Sequence, residues 1–160
     1  MFFNLQKASQ GEGSELYCKT SFNNVPDTNI AGLDPSERIA SIYTHLQAFF
    51  PHYKRVFEQQ TDLQLAGSAL LTELVKVSNR SITLANKINC LYQSLFPNLP
   101  LPEPAGGPTP LPPSQNVFQQ KVYGCVVLKR YKEFLSNVAR EMKTLKGKVC
   151  KKRTQMNELF

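Results

Sequence analysis

Four cysteines, at positions 18, 90, 125 and 150, and two histidines, His45 and His52, are the side chains of this chain best suited to covalent or metal chemistry. Zinc sites need thiolates and imidazoles in close sequence pairs, and no two of these cysteines form a C-x-x-C. The histidines stand seven apart with no cysteine near them, and both read as surface or helix-flank residues. No metal and no other cofactor is therefore expected. The four thiols can form two disulfides in three connectivities, or they can all stay reduced. Nothing assembles a nucleophile, a base and an oxyanion site, and no glycine-rich loop is present to cradle phosphate, so an enzyme is not expected. What remains is recognition. In the stretch SQNVFQQKVYGC (114–125), Phe118 and Lys121 stand three residues apart on the first turn of a helical pattern. An aromatic beside a cation has the composition of a binding hot spot. Asn79-Arg80-Ser81 is an acceptor triplet for N-glycosylation.

The elements that position these residues follow from periodicity. Asp34-Pro35-Ser36-Glu37 reads as a helix start, with Asp34 as cap, Pro35 in the first turn and Glu37 complementing the helix dipole. Apolar residues from Ile39 to Phe57 follow at spacings of three and four, predicting an amphipathic helix to about Thr61 with a kink at Pro51. A second helix begins after a break at 61–65. Its stripe is Leu70, Leu74, Val77, Leu84, Ile88, Leu91 and Leu95, widened by Leu71, Ile82 and Tyr92, and Pro97 ends it. A third spans 116–146 on Val117, Leu128, Tyr131, Leu135, Val138, Met142 and Leu145. No strand pattern of comparable length appears, so the class is all-α. Residues 97–114 carry eight of the chain's eleven prolines. A stiff segment of that length reaches roughly 56 Å, against roughly 45 Å for a 30-residue helix. It can return along a whole helix, which predicts that the second and third helices are parallel neighbours. The short break makes the first two antiparallel, and this order of connections belongs to up-up-down-down bundles.

On the helical wheel Phe118 falls roughly 130° from the centre of its helix's apolar stripe, outside a face of that width. Asn116 and Gln119 can cap the turn that carries it. Phe118 is then either shown to a partner or tucked under the proline-rich loop. The charge is uneven. Residues 121–160 hold eleven Lys/Arg against three acids, a net of +8, while the rest of the chain is close to neutral. A basic terminal quarter, with GKVCKKR at 147–153, suits heparin-like polyanions, acidic protein surfaces or nucleic acid. An intracellular basic helical adaptor or nucleic-acid binder is thus the alternative class. No aromatic is interleaved with those basic residues. No apolar run is long enough to span a membrane, so no insertion is expected.

The block PPSQNVFQQKVYGCVVLKRYKEFLSNVAREM resembles the last helix, and its approach, of the leukaemia inhibitory factor and oncostatin M cytokines. A Phe-x-x-Lys pair, a Gly-Cys and a later Tyr mark that helix, and Phe118, Lys121, Gly124, Cys125 and Tyr131 stand in those places. LANKINCLYQSLF resembles the end of the family's third helix, with Cys90 in its cysteine position, and LQKASQGEGSELYC resembles the close of the first. The resemblance implies a secreted, disulfide-bonded, four-helix cytokine of the interleukin-6 family, a glycoprotein active in immune and growth signalling. It implies two partners: a chain of the leukaemia inhibitory factor receptor or oncostatin M receptor type, met by Phe118 and Lys121, and the shared signal-transducing subunit. It also implies a Cys18–Cys125 disulfide. Cys90 is left over, with Cys150 as its candidate partner.

On that frame residues 1–33 are the end of the first family helix and a crossover loop, 34–61 helix B, 65–96 helix C, 97–114 the proline-rich crossover, 116–146 helix D and 147–160 a basic tail. Most of the first helix and the signal peptide are expected to be missing together, as in a truncated or alternatively started chain. Three helices then leave an apolar groove, and such a ligand is expected to bind one receptor without recruiting the second.

Overall fold

In the computed structural model residues 18, 22, 24–100, 102 and 111–148 are described, with side chains as far as 145. Among them are three helices and no strand: α1 (Pro35–Leu63), α2 (Ala69–Leu95) and α3 (Val117–Lys148). The end of the first family helix expected within residues 1–17, Cys150 and the basic tail beyond 148 lie outside the described residues.

Each helix starts where its sequence provides a cap. The Asp34 carboxylate accepts from the Glu37 backbone N–H at 2.9 Å, and the Glu37 side chain returns to the Asp34 N–H, a complete capping box. Hydrogen bonds from Ser36 and the Glu37 backbone hold the Asp34 pKa below its ordinary value. α1 runs through Pro51 without interruption. α2 starts four residues later than the expected bound at 65 and within a residue of the first stripe position, Leu70. Gly67 takes φ 76°, a left-handed conformation suited to glycine, and Ser68 then caps through Leu71 N–H at 3.3 Å. Leu65, expected at the helix start, lies in the connection and is exposed.

Contacts between α1 and α3 run in opposite order along the two helices. Arg38 pairs with Glu141, Phe49 stacks with Phe134 and meets Tyr131, and His52 bonds Tyr123. The two helices are therefore antiparallel. The short 64–68 connection turns α2 back along α1, where the Tyr53 hydroxyl donates to the Leu74 carbonyl at 3.0 Å. α1 packs closely on both other helices, whereas α2 and α3 are not the close neighbours that the long crossover suggests. They meet through side chains, with the Tyr131 hydroxyl donating to Ser81 Oγ, which donates in turn to the Val77 carbonyl at 2.7 Å. The core is shared by all three, with Ile39, Leu46, Phe49, Leu74, Ile88, Leu128, Tyr131, Phe134 and Leu145 almost fully buried.

Three side chains depart from their expected faces. Ile82 is exposed and Ser81 and Ala85 are buried, because the α2 stripe continues through 77, 81, 85 and 88 whatever its polarity. Val117 is exposed, since it precedes the turn at which α3 meets the body. His52 is wholly buried rather than on a flank.

Candidate functional site

The first turn of α3 is fixed from several directions. Asn116 and Gln119 form a reciprocal cap: the Gln119 N–H donates to Asn116 Oδ1 at 2.8 Å, and the Asn116 N–H donates to Gln119 Oε1 at 2.9 Å. Both side chains are thereby spent on holding the turn. Gln120 Nε2 reaches back to the Gln115 carbonyl at 3.0 Å. From α1, Gln59 Nε2 donates to Gln115 Oε1 at 2.8 Å, and Arg55 Nη1 donates to the Pro112 carbonyl. On this turn Phe118 is 58 % exposed, and Lys121, one turn on, is exposed as well. Phe118 also forms one wall of an open groove of about 330 Å³ whose other walls include Phe22, Pro112 and Pro113. The turn thus presents an aromatic face, a groove beside it and a cation on the same short arc.

Beneath the turn α3 is buried on every side. Residues 122–128, Val-Tyr-Gly-Cys-Val-Val-Leu, are all covered. α1 covers one side, where Gly124 faces Val56 and Gln60, and Phe22 and Val25 are held against the helix as well. Cys18 and Cys125 are bonded to each other with their Cα atoms 5.1 Å apart. The Phe22 ring meets Tyr123 edge to face at 5.8 Å. Arg130 Nη1 donates to the carbonyls of Phe22 and Val25 at 3.0 and 2.8 Å. Farther along, Asn137 Nδ2 donates to the Thr28 carbonyl at 2.7 Å.

The Tyr123 hydroxyl and His52 Nδ1 lie 2.6 Å apart in this covered region. Burial pushes the Tyr123 phenol pKa up and the His52 imidazole pKa down, the latter with help from the nearby Arg55 and Arg130 charges. Both are therefore neutral at pH 7. His52 Nε2 has no partner in good hydrogen-bonding geometry, so the opposing pull of the Asn24 backbone on its pKa is that of a poorly aligned acceptor. This pair is structural: it faces the core and not the groove.

Phe118, Lys121, Cys18 and Cys125 thus gather at one end of the molecule. Asn79 stands apart on α2, exposed, with the Ser81 hydroxyl of its triplet buried and bonded. Cys90 is exposed and free. Arg55, Gln59 and Phe22 were not legible as parts of the site, because nothing local marks a contact made across more than fifty residues. Among the described residues no cluster of three or more His, Cys, Asp or Glu side chains could hold a metal ion. None of their helices is long and apolar enough to cross a membrane.

A family model described as the LIF / OSM family matches residues 4–142. No curated protein and no solved structure matches the chain.

Proposed function

The chain belongs to the LIF / OSM family of helical cytokines, and on that premise we propose that it is a secreted ligand that binds a class I cytokine receptor through Phe118 and Lys121. The observation that carries this reading is the 58 % exposure of a phenylalanine on a doubly capped turn. An aromatic held this way loses little conformational freedom when it enters a receptor pocket. Lys121 supplies steering and a rim contact to an acidic receptor surface. The receptor class is that of the leukaemia inhibitory factor receptor or the oncostatin M receptor, and recruitment of the shared interleukin-6-family subunit would need the family's first helix as well.

The test is binding of the oxidised chain to immobilised ectodomains of both receptors, beside a Phe118→Ala/Lys121→Ala double variant of matched helicity. Loss of tenfold or more in affinity, about 1.4 kcal/mol, is expected with one of the two. Equal binding by variant and parent, or none by a well-folded parent, overturns the assignment of the site.

A further inference from the structure

We propose that Arg55 on α1 is a positioning residue for recognition, setting the distance between Phe118 and the proline wall of the groove beside it, with Gln59 as its second point of hold. This inference rests on the reading of the Phe118 turn as the recognition element. A Pro-Pro segment offers a partner acceptors and no donors. Pro112 and Pro113 have no N–H, so the backbone there can be held only through its carbonyls, by a donor from elsewhere. Arg55 is that donor, reaching the Pro112 carbonyl across 57 residues of sequence. Its guanidinium carries five donors in a rigid fork. Polyproline segments are stiff over several residues, so fixing one carbonyl fixes the line of the strand around it.

The exposure pattern agrees with such an anchor. Pro112 is buried, while Leu111 and Pro113 on either side are exposed. Two residues on, Gln59 holds the Gln115 amide. The wall formed by Pro112 and Pro113 is therefore referenced to α1, whereas Phe118 is referenced to the cap of α3. The groove exists only where the two references agree. A receptor side chain seated in it, apolar and about the size of the 330 Å³ space allows, reads both at once.

The experiment measures receptor affinity and thermal midpoint for the full oxidised chain and for Arg55→Met, Arg55→Lys, Phe118→Ala and Arg55→Met/Phe118→Ala. Methionine keeps the packing of the stem and removes the donors. Arg55→Met is expected to weaken binding about tenfold, and Arg55→Lys to recover most of that. In the double variant the two losses should fall well short of their product, because both act on one groove. A residue that only supports the fold gives losses that multiply and that track the thermal midpoint, with no recovery by lysine, and that result overturns the proposal. Arg55→Met binding like the parent while Phe118→Ala is impaired also overturns it, and leaves the recognition turn standing. Unimpaired binding by both single variants brings down the recognition turn itself. If Arg55→Met fails to fold, Gln59→Met with Gln115→Met removes the second hold, and the same coupling to Phe118→Ala decides the question.

Discussion

Reducing the Cys18–Cys125 bond removes a constraint whose effect on stability can be worked from the fold. The bond closes a loop with a sequence separation of 107. In the chain-entropy model, opening a loop of that size frees the unfolded chain by about 4.8 kcal/mol at 25 °C. The native state should change little, because the segment stays in place by other means. Val25 is 4 % exposed in the core, the Phe22 ring meets Tyr123, and Arg130 and Asn137 hold the Phe22, Val25 and Thr28 carbonyls. The whole effect should therefore appear as a change in unfolding free energy with the fold intact. With a urea m-value of about 2 kcal/mol/M, the midpoint falls by about 2.4 M. Urea titration should be run on a Cys90→Ser/Cys150→Ser background with and without reductant, so that neither remaining thiol reshuffles the bond. Hydrogen exchange at 22–31 on the reduced protein under native conditions tests the second half of the argument. A midpoint shift below about 0.7 M, at unchanged m-value, would refute the loop-entropy reasoning. Loss of protection at 22–31 would show instead that the bond alone holds the segment against α3.

Further outcomes are expected at His52, Gly124 and Gly32. The folded-state pKa of His52 lies below its unfolded value of 6.5, so below that pH the unfolded chain takes up a proton that the folded chain resists. Stability is then full above about pH 6.5 and is lost as pH falls toward the depressed folded value, by about 1.4 kcal/mol for each unit of separation. A His52→Gln variant should show a shallower decline over that interval by chemical denaturation at several pH values, and an equal slope would place the titration elsewhere. A Cβ at Gly124 would meet Gln60 Nε2 and Val56 Cγ1 at 3.6 Å, ordinary contact distances. Gly124→Ala should therefore stabilise α3 by about 0.5–1 kcal/mol, read as a raised thermal midpoint, and a lowered one would show that the helices cannot admit the methyl. Gly32 is the opposite case. Its φ is +111° and a Cβ would lie 2.6 Å from Glu37 Cβ, so Gly32→Ala should cost about 2 kcal/mol and loosen the α1 cap, visible in urea unfolding.

The helices were legible because long apolar stripes and cap residues agree with one another. Asp34 with Glu37 and Asn116 with Gln119 mark starts that the structure keeps to within a residue. Apolarity and geometry disagree at a few positions, and there geometry decides. Its side chain alone puts Ile82 on the buried face, yet the angular run through Val77, Ser81 and Ala85 carries the stripe past it. The serine is tolerated there because Tyr131 and the Val77 carbonyl satisfy its hydroxyl. A histidine suits a helix flank, but the burial of His52 depends on Tyr123, 71 residues away. The run VYGCVVL did hold an unread signal. A helix apolar on all sides is covered on all sides, and that predicts a second layer over α3 besides α1. Arg55 and Gln59 left no trace, because their targets are a proline carbonyl and a glutamine in a loop whose path periodicity cannot set.

Phe118 shows why exposure and rigidity together point toward recognition. Fully burying a phenylalanine stabilises a fold by about 1.5–3 kcal/mol. Phe118 is more exposed than covered, so truncating it should cost the fold about 0.6–1.3 kcal/mol by the same scale. The turn beneath it is far more constrained than so small a contribution to folding requires. Two reciprocal cap bonds, two holds from α1 and a disulfide seven residues on all bear on its position. Such constraint lowers the entropy lost when the ring enters a pocket, where truncation of an anchor costs about 2 kcal/mol or more. Phe118→Ala should therefore separate the two quantities, with receptor affinity falling by a larger free energy than folding stability. A variant that loses stability and affinity by the same amount would place the ring in the core of this end of the molecule and not at its interface.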